Sequence, residues 1–156
     1  MINKINITFG FFLEKVEFTL KSLGFNHSQN RTFVLHVLYH CDKHLNIKDI
    51  MQKIYETFSC RLSQTTVYHI LNLFEKLQVV NSLSLPNDME KQKFYEINVS
   101  YHHDHLICKK CYKIVEFYDA NLEHLQDSFC VKQNFLLLSH SLLLFGLCEE
   151  CQKSEQ

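Results

Sequence analysis

One short segment, "HHDHLICKKC" at 102–111, carries three histidines, an aspartate and two cysteines. Thiolates and imidazole or carboxylate groups suit different metals, so the segment can supply more than one site. Cys108 and Cys111 form one Cys-x-x-C pair, and Cys148 and Cys151 form another. Two such pairs complete a closed, tetrahedral, structural zinc site. A thioredoxin-like redox pair is the alternative, but no βαβ pattern surrounds either pair.

The histidines of this segment separate by strand geometry. If 102–107 is extended, His103 and His105 point to one face, whereas His102 and Asp104 point to the other. The strand would then supply two further sites of mixed nitrogen and oxygen ligands, which suit Fe(II), Mn(II), Ni(II) or Zn(II). Ordinary core or surface histidines are the alternative, although the clustering beside a Cys-x-x-C pair favours ligation.

The front half of the chain reads as helices followed by a hairpin. Helical apolar spacing ends at Gly24, and Ser28, Asn46 and Ser63 are placed to cap three further helices. The period then changes, and "VVNSLSL" and "KFYEINV" flank the turn-rich "PNDMEK" as two antiparallel strands. This order is typical of a winged-helix DNA-binding domain, which we place at residues 1–98.

The fourth helix, "SQTTVYHILNLFEKL", is the candidate reader of DNA. Gln64, Thr65, Tyr68 and His69 lie opposite its apolar stripe, at the polar N-terminal end that suits phosphate or groove contacts. An ordinary amphipathic helix with a solvated face is the alternative.

The rear half, residues 99–156, reads as a small α+β unit. "YHHDHLI" and "KIVEFY" are expected strands, and "DANLEHLQDSFC" is a helix capped by Asp119. "NFLLLSHSLLLFG" is expected to be one long buried strand. The predicted fold class is therefore α+β, with a winged helix before a small domain that holds a four-cysteine zinc site.

Composition limits the possible locations and partners. Seven cysteines without a secretory signal favour metal ligation or free thiols in the cytoplasm, and no membrane partner is expected. Cys41, Cys60 and Cys130 are expected to be buried small hydrophobes. Residues 1–84 hold nine Lys and Arg against six Asp and Glu, whereas 85–156 hold seven against eleven. The positive front half is compatible with DNA, although scattered surface charge would explain so small a difference equally well.

Several segments together resemble the ferric uptake regulator family of metal-dependent repressors. They are "TTVYHILNLFEKLQVV", "KFYEI", "HHDHLICKKCYKIVEF" and "CEEC", and the resemblance covers nearly the whole chain. It implies a homodimer, or a higher oligomer, with a C-terminal dimerisation domain. It also implies that metal binding closes the DNA-binding domains onto palindromic, AT-rich double-stranded operators.

The resemblance also assigns residues to sites. It places structural Zn(II) on the four cysteines and a regulatory ion, Fe(II) with Mn(II) or Zn(II) as substitutes, at an interdomain site. The regulatory ligands it implies are His44, Glu96, His103, His105 and Glu116. An additional metal site would use His102, Asp104, Glu123 and His140. The implied DNA contacts are Arg31, Gln64, Thr65, Thr66, Tyr68 and His69.

Three positions depart from the family's pattern. His69 stands where the family usually has Arg after the tyrosine, and Asn26 where a lysine usually precedes the second helix. Both changes remove a permanent positive charge that would attract phosphate. Tyr112 stands where the first zinc knuckle usually has Gly.

The resulting prediction is an iron-sensing transcriptional repressor of metal-uptake genes that is not an enzyme. Peroxide or zinc sensing within the family is an alternative, although peroxide sensors typically have aspartates where this chain has Glu96 and Glu116. A metal-binding dimer that has lost operator binding is another. A metallohydrolase with Glu116 as general base is disfavoured, because the chain has no HExxH-type motif.

Overall fold

A computed structural model describes residues 7–85, 93–98 and 102–154. The chain forms two compact units, Met1–Val99 and Ser100–Gln156. Helices and small sheets occur in both, so the α+β prediction is confirmed. No helix in these described ranges combines the length and apolar character that crossing a membrane requires.

The first unit is built from four helices whose starts and ends follow local signals. They are α1 (Phe9–Ser22), α2 (Gln29–Tyr39), α3 (Ile47–Phe58) and α4 (Gln64–Lys76). Ser63 accepts a hydrogen bond from the N–H of Thr66 at the start of α4. Asn46 and Asp49 form a reciprocal capping box at the start of α3. Ser28 precedes α2 as predicted but makes no side-chain capping bond.

A two-stranded hairpin follows the helices. Strands β1 (Val80–Ser84) and β2 (Lys93–Ile97) are antiparallel, with Ser82 opposite Tyr95. The connecting loop predicted at 86–91 lies outside the described residues. Backbone hydrogen bonds in both directions join Leu45 to Tyr95, so the segment before α3 is held against β2. Helices followed by this hairpin give the winged-helix order.

The core of the first unit combines the apolar faces of its helices with the hairpin. Its fully buried members include Leu20, Leu35, Ile50, Leu71 and Phe74. Cys41 and Cys60 pack against this core but are only half-buried, as is Cys130 in the second unit, so the prediction that they are buried was wrong in degree.

The second unit is built around a three-stranded sheet. Its elements are β3 (Asp104–Cys108), β4 (Ile114–Phe117), α5 (Ala120–Lys132), β5 (Leu143–Gly146) and α6 (Glu149–Lys153). The strand order is β4-β3-β5, with β4 antiparallel and β5 parallel to β3. Asp119 caps α5 by accepting from the N–H groups of Asn121 and Leu122, as predicted.

The long buried strand predicted from "NFLLLSHSLLLFG" was wrong in length and burial. Among the described residues of this segment, only Leu143–Gly146 forms strand pairs with β3. Leu136 and Leu138 are 84% and 86% exposed, and α5 contains no buried residue. The second unit therefore presents an extensive apolar surface to solvent.

Candidate metal and DNA-binding sites

Four cysteine sulfurs converge in the second unit. Cys108 ends β3, Cys111 follows in the turn, Cys148 caps α6 and Cys151 lies within it. Their ligand atoms all lie within 4.8 Å of one another. The Cys111 and Cys148 sulfurs are 3.6 Å apart. Tetrahedral ligation at a Zn–S length of about 2.3 Å requires sulfurs roughly 3.8 Å apart, so the spacing fits zinc.

The surroundings give these thiols opposite protonation tendencies. Backbone N–H groups of Cys111 and Cys148 lower the pKa of Cys108 to about 6. Burial, with the neighbouring thiols adding to it, raises the pKa of Cys151 to about 12. One sulfur is therefore ready to bind as a thiolate, whereas another must release a proton when a cation binds. A cation is needed to hold four thiolates this close together.

A second set of donors includes Asp104, at the start of β3 in the same unit. The ligand atoms of His102, Asp104, Glu123 and His140 all lie within 4.8 Å of one another. The His102 Nε2 atom is 3.2 Å from Asp104 Oδ1, and His140 Nε2 is 3.4 Å from Glu123 Oε2. Strand alternation predicted that His102 and Asp104 share a face, whereas Glu123 and His140 were assigned to this site only through the family resemblance.

Unsatisfied polar atoms show that this second set suits a cation. Asp104 is 1% exposed, and its Oδ1 accepts from the Leu142 N–H. Asp104 Oδ2, Glu123 Oε1 and His140 Nε2 are buried and make no hydrogen bond. Buried acceptors without donors are costly, and a divalent cation would satisfy all three.

The residues predicted for the regulatory ion form two groups, one in each unit. In the first unit, His44 Nε2 lies 3.4 Å from Glu96 Oε2, and both side chains are buried. In the second unit, the rings of His103 and His105 are 4.9 Å apart. Glu116 of β4 lies opposite His105 in the sheet register. The face separation predicted from strand alternation is therefore confirmed, whereas ligation by these residues stays a prediction.

Tyr112 adopts a conformation that explains the family's usual glycine. Its φ of +59° is in the left-handed region, and its N–H donates to the Cys108 carbonyl to close the knuckle. A residue with a Cβ atom pays about 1–2 kcal/mol there, a cost that glycine avoids. The zinc knuckle of this chain is therefore locally strained.

The polar side of α4 is accessible, as predicted. Gln64, Thr65, Tyr68 and His69 are exposed, and Thr66 is half-buried. The rings of Tyr68 and His69 are 6.0 Å apart. These side chains are placed where DNA can reach them, and their contacts with DNA stay a prediction.

Arg31 differs from the other predicted DNA contacts. Its guanidinium donates to the carbonyl of Asn26 and lies 5.8 Å from the centre of the Phe25 ring. Its Nε is buried and makes no hydrogen bond. In this arrangement Arg31 organises the loop before α2 instead of extending into solvent.

Sequence reasoning missed two polar clusters in the first unit. Glu75 of α4 binds Lys93 of β2, and no local pattern indicates a pair 18 residues apart. The ring centres of His36 and His40 are 4.1 Å apart with the ring planes tilted by 35°, and both rings contact Phe9. Their spacing of four residues on one helix face was a signal that could have found them.

Comparison with known proteins identifies the family. Residues 22–145 match the ferric uptake regulator family. The chain belongs to this family. It is 36% identical over 143 residues to the ferric uptake regulation protein of Helicobacter pylori strain J99, covering 92% of this chain and 93% of that protein. The family consists of metal-responsive transcriptional regulators, which are not enzymes.

Solved structures of family members agree with the fold. The Helicobacter pylori ferric uptake regulator, reported with three functional metal-binding sites, matches with a TM-score of 0.86 and 35% identity. That match covers 96% of this chain and 97% of the other. The regulator of Francisella tularensis, solved with iron, gives a TM-score of 0.74 at 35% identity and covers 83% and 96%.

Proposed function

We propose that the protein is an iron-sensing repressor of metal-uptake genes that binds AT-rich palindromic double-stranded operators as a homodimer in the cytoplasm. In this proposal residues 1–98 read DNA and residues 99–156 hold the dimer together. Structural Zn(II) is bound by the four cysteines, and Fe(II) is the regulatory ion, with Mn(II) or Zn(II) able to substitute.

The observation that carries the proposal is the separation of donor chemistry among the sites. The four-sulfur set leaves no open position and suits a permanent zinc ion. The other ligands are imidazoles and carboxylates, which bind Fe(II) and Mn(II) more reversibly. We propose that the regulatory ion uses His44, Glu96, His103, His105 and Glu116. The set of His102, Asp104, Glu123 and His140 is the additional site.

The exposed apolar surface of the second unit supports a second copy of the chain as its partner. Phe129 of α5 and Phe135, Leu136 and Leu138 after it are all largely exposed. Residues 135–141 pair with no strand among the described residues, although their sequence has strong strand character. An extended apolar edge of this kind is a template for pairing with another strand. A symmetric dimer would cover the surface and would match a palindromic operator.

The proposal is tested by titrating AT-rich palindromic DNA in parallel with Fe(II), Mn(II), Zn(II) and chelator. Metal-dependent binding that is strongest with Fe(II) is the expected result. Glu96→Gln and His105→Ala should each raise the metal concentration needed for DNA binding while leaving structural zinc and dimer mass unchanged. Removing one ligand lowers affinity for the ion, so the DNA-competent population requires more metal.

His27→Ala is the matched control, because His27 is an exposed histidine outside every proposed metal set. It should need the same metal concentration as the wild type. Wild-type DNA affinity in both ligand variants at limiting metal would refute the regulatory assignment. Metal preference for Zn(II) in the same titration would favour zinc sensing.

A second candidate function is a metal-binding dimer without operator binding. The observation that favours it is the inward arrangement of Arg31 together with His69 and Asn26 at positions where the family usually has cations. Zinc-loaded dimers that bind no AT-rich palindrome with any of the three metals would support this function and overturn repression.

A further inference from the structure

Glu75 occupies an unfavourable position for a carboxylate. It lies in the last turn of α4, where the partial negative charge of the helix C-terminus repels an anion. Contacts with the hairpin offset this repulsion. Lys93 Nζ lies 2.6 Å and 2.8 Å from the two Glu75 carboxylate oxygens, and the Ser82 hydroxyl donates to one of them. Glu75 therefore joins the end of α4 to both strands of the hairpin.

We call the contacts of Glu75 with Lys93 and Ser82 the clamp, and β2 carries its lysine on one face. Lys93 and Tyr95 alternate with Phe94, so both face the side of Ser82, and the Lys93 ammonium lies 5.4 Å from the Tyr95 ring centre. Tyr95 is fully buried, and its hydroxyl makes no hydrogen bond. The clamp thus continues into the core beneath the DNA-reading helix.

The opposite face of the same strand carries a proposed ligand of the regulatory ion. Glu96 follows Tyr95 and lies 3.4 Å from His44. The residue after His44, Leu45, is hydrogen-bonded to the Tyr95 backbone at 3.0 Å and 2.8 Å. His44 and Glu96 are therefore fixed to β2 by backbone and side chain together. Because adjacent residues of a strand move as one, displacement of Glu96 also displaces the clamp.

We propose that Glu75 is a positioning residue that couples ion binding at His44 and Glu96 to the orientation of α4. The inference rests on the proposed function, since it assigns the internal route by which that regulatory site acts on DNA binding. β2 is the connecting element, with the ligand on one face and the Lys93–Glu75 clamp on the other. A partly exposed ion pair contributes little to global stability, so a purely structural role predicts a small and metal-independent effect.

The deciding quantity is the ratio of DNA affinities with saturating Mn(II) and without it. Glu75→Gln removes the charge pair but keeps the side-chain size. It also removes a negative charge near DNA, but that change acts on both affinities and cancels in the ratio. We expect the ratio to fall roughly twofold to thirtyfold, the range for mutations that alter coupling between sites. Lys93→Gln should do the same, and the Glu75→Lys, Lys93→Glu exchange should restore most of the ratio.

Glu56→Gln is the matched control, because Glu56 also lies near the end of a helix, in α3, and bonds only to its neighbour Gln52 among the contacts described. It should leave the ratio unchanged. A wild-type ratio in Glu75→Gln and Lys93→Gln, with both absolute affinities shifted equally, would overturn the proposal.

Amide hydrogen exchange separates this proposal from the proposed function because it needs no DNA. Mn(II) should change exchange in the last turn of α4 in the wild type, and Glu75→Gln should abolish that change. Wild-type protein that shows the exchange change but binds no operator would refute repression and retain the coupling. An α4 that does not respond to Mn(II) in the wild type would overturn the coupling itself.

Discussion

Truncating Leu138 tests the dimer most directly. This side chain is 86% exposed in the single chain, so nearly all of its hydrophobic contribution must come from a partner. Leu138→Ala removes three carbon atoms, which at about 0.8 kcal/mol each amounts to about 2.4 kcal/mol per protomer. Two-fold symmetry doubles this to about 5 kcal/mol, so the dimer dissociation constant should rise on the order of 1,000-fold.

Sedimentation equilibrium over a wide concentration range measures that constant. Phe18→Ala is the control, because Phe18 is 77% exposed but belongs to α1 of the first unit. It should leave the dimer unchanged, and circular dichroism should show that both variants remain folded. A Leu138→Ala dimer as tight as the wild type would show that this surface is not the interface. Equal weakening by Phe18→Ala would contradict the assignment of the interface to the second unit.

Three further outcomes are expected. Cys151→Ser should reduce bound zinc from about one ion per chain to nearly none and disrupt the dimer, because closed zinc sites couple to folding; metal analysis and sedimentation check both. His69→Arg should tighten operator binding and steepen the slope of log affinity against log salt by about 0.9, since it adds one permanent phosphate-binding charge. Burial and repulsion from His40 lower the pKa of His36 below its usual 6.5. The unfolded chain therefore binds the proton first, and stability present above pH 6.5 should decline as pH falls toward the folded-state pKa. Urea unfolding should show a smaller decline in His36→Gln, and an unchanged pH dependence would refute this explanation.

Local chemistry made several features predictable. Asn46, Ser63 and Asp119 begin helices because their side chains accept hydrogen bonds from backbone N–H groups within three residues. Strand alternation separated His103 and His105 from His102 and Asp104. This was predictable from sequence because the two-residue period of a strand is a property of the backbone. The pairing of two Cys-x-x-C segments was predictable from metal chemistry, because each segment supplies only half of a tetrahedron.

Contacts between distant parts of the chain were not predictable in this way. The apolar sequence of 135–142 has strand character, but whether it pairs inside the chain depends on which neighbours the fold provides. Among the described residues, only Leu143–Gly146 is in register with β3 as a paired strand. From sequence alone, Glu75 is an anion at an unfavourable position near a helix C-terminus. Only the tertiary structure brings Lys93 close enough to stabilise it. Tyr112 gives no local sign of its left-handed backbone, which the turn between Cys108 and Lys113 imposes.

The sequence by itself determined which residues can cap, alternate and bind metal, because those properties depend on near neighbours. Tertiary structure alone decided which apolar surfaces stay exposed and which charges pair, because both depend on residues that only folding brings together.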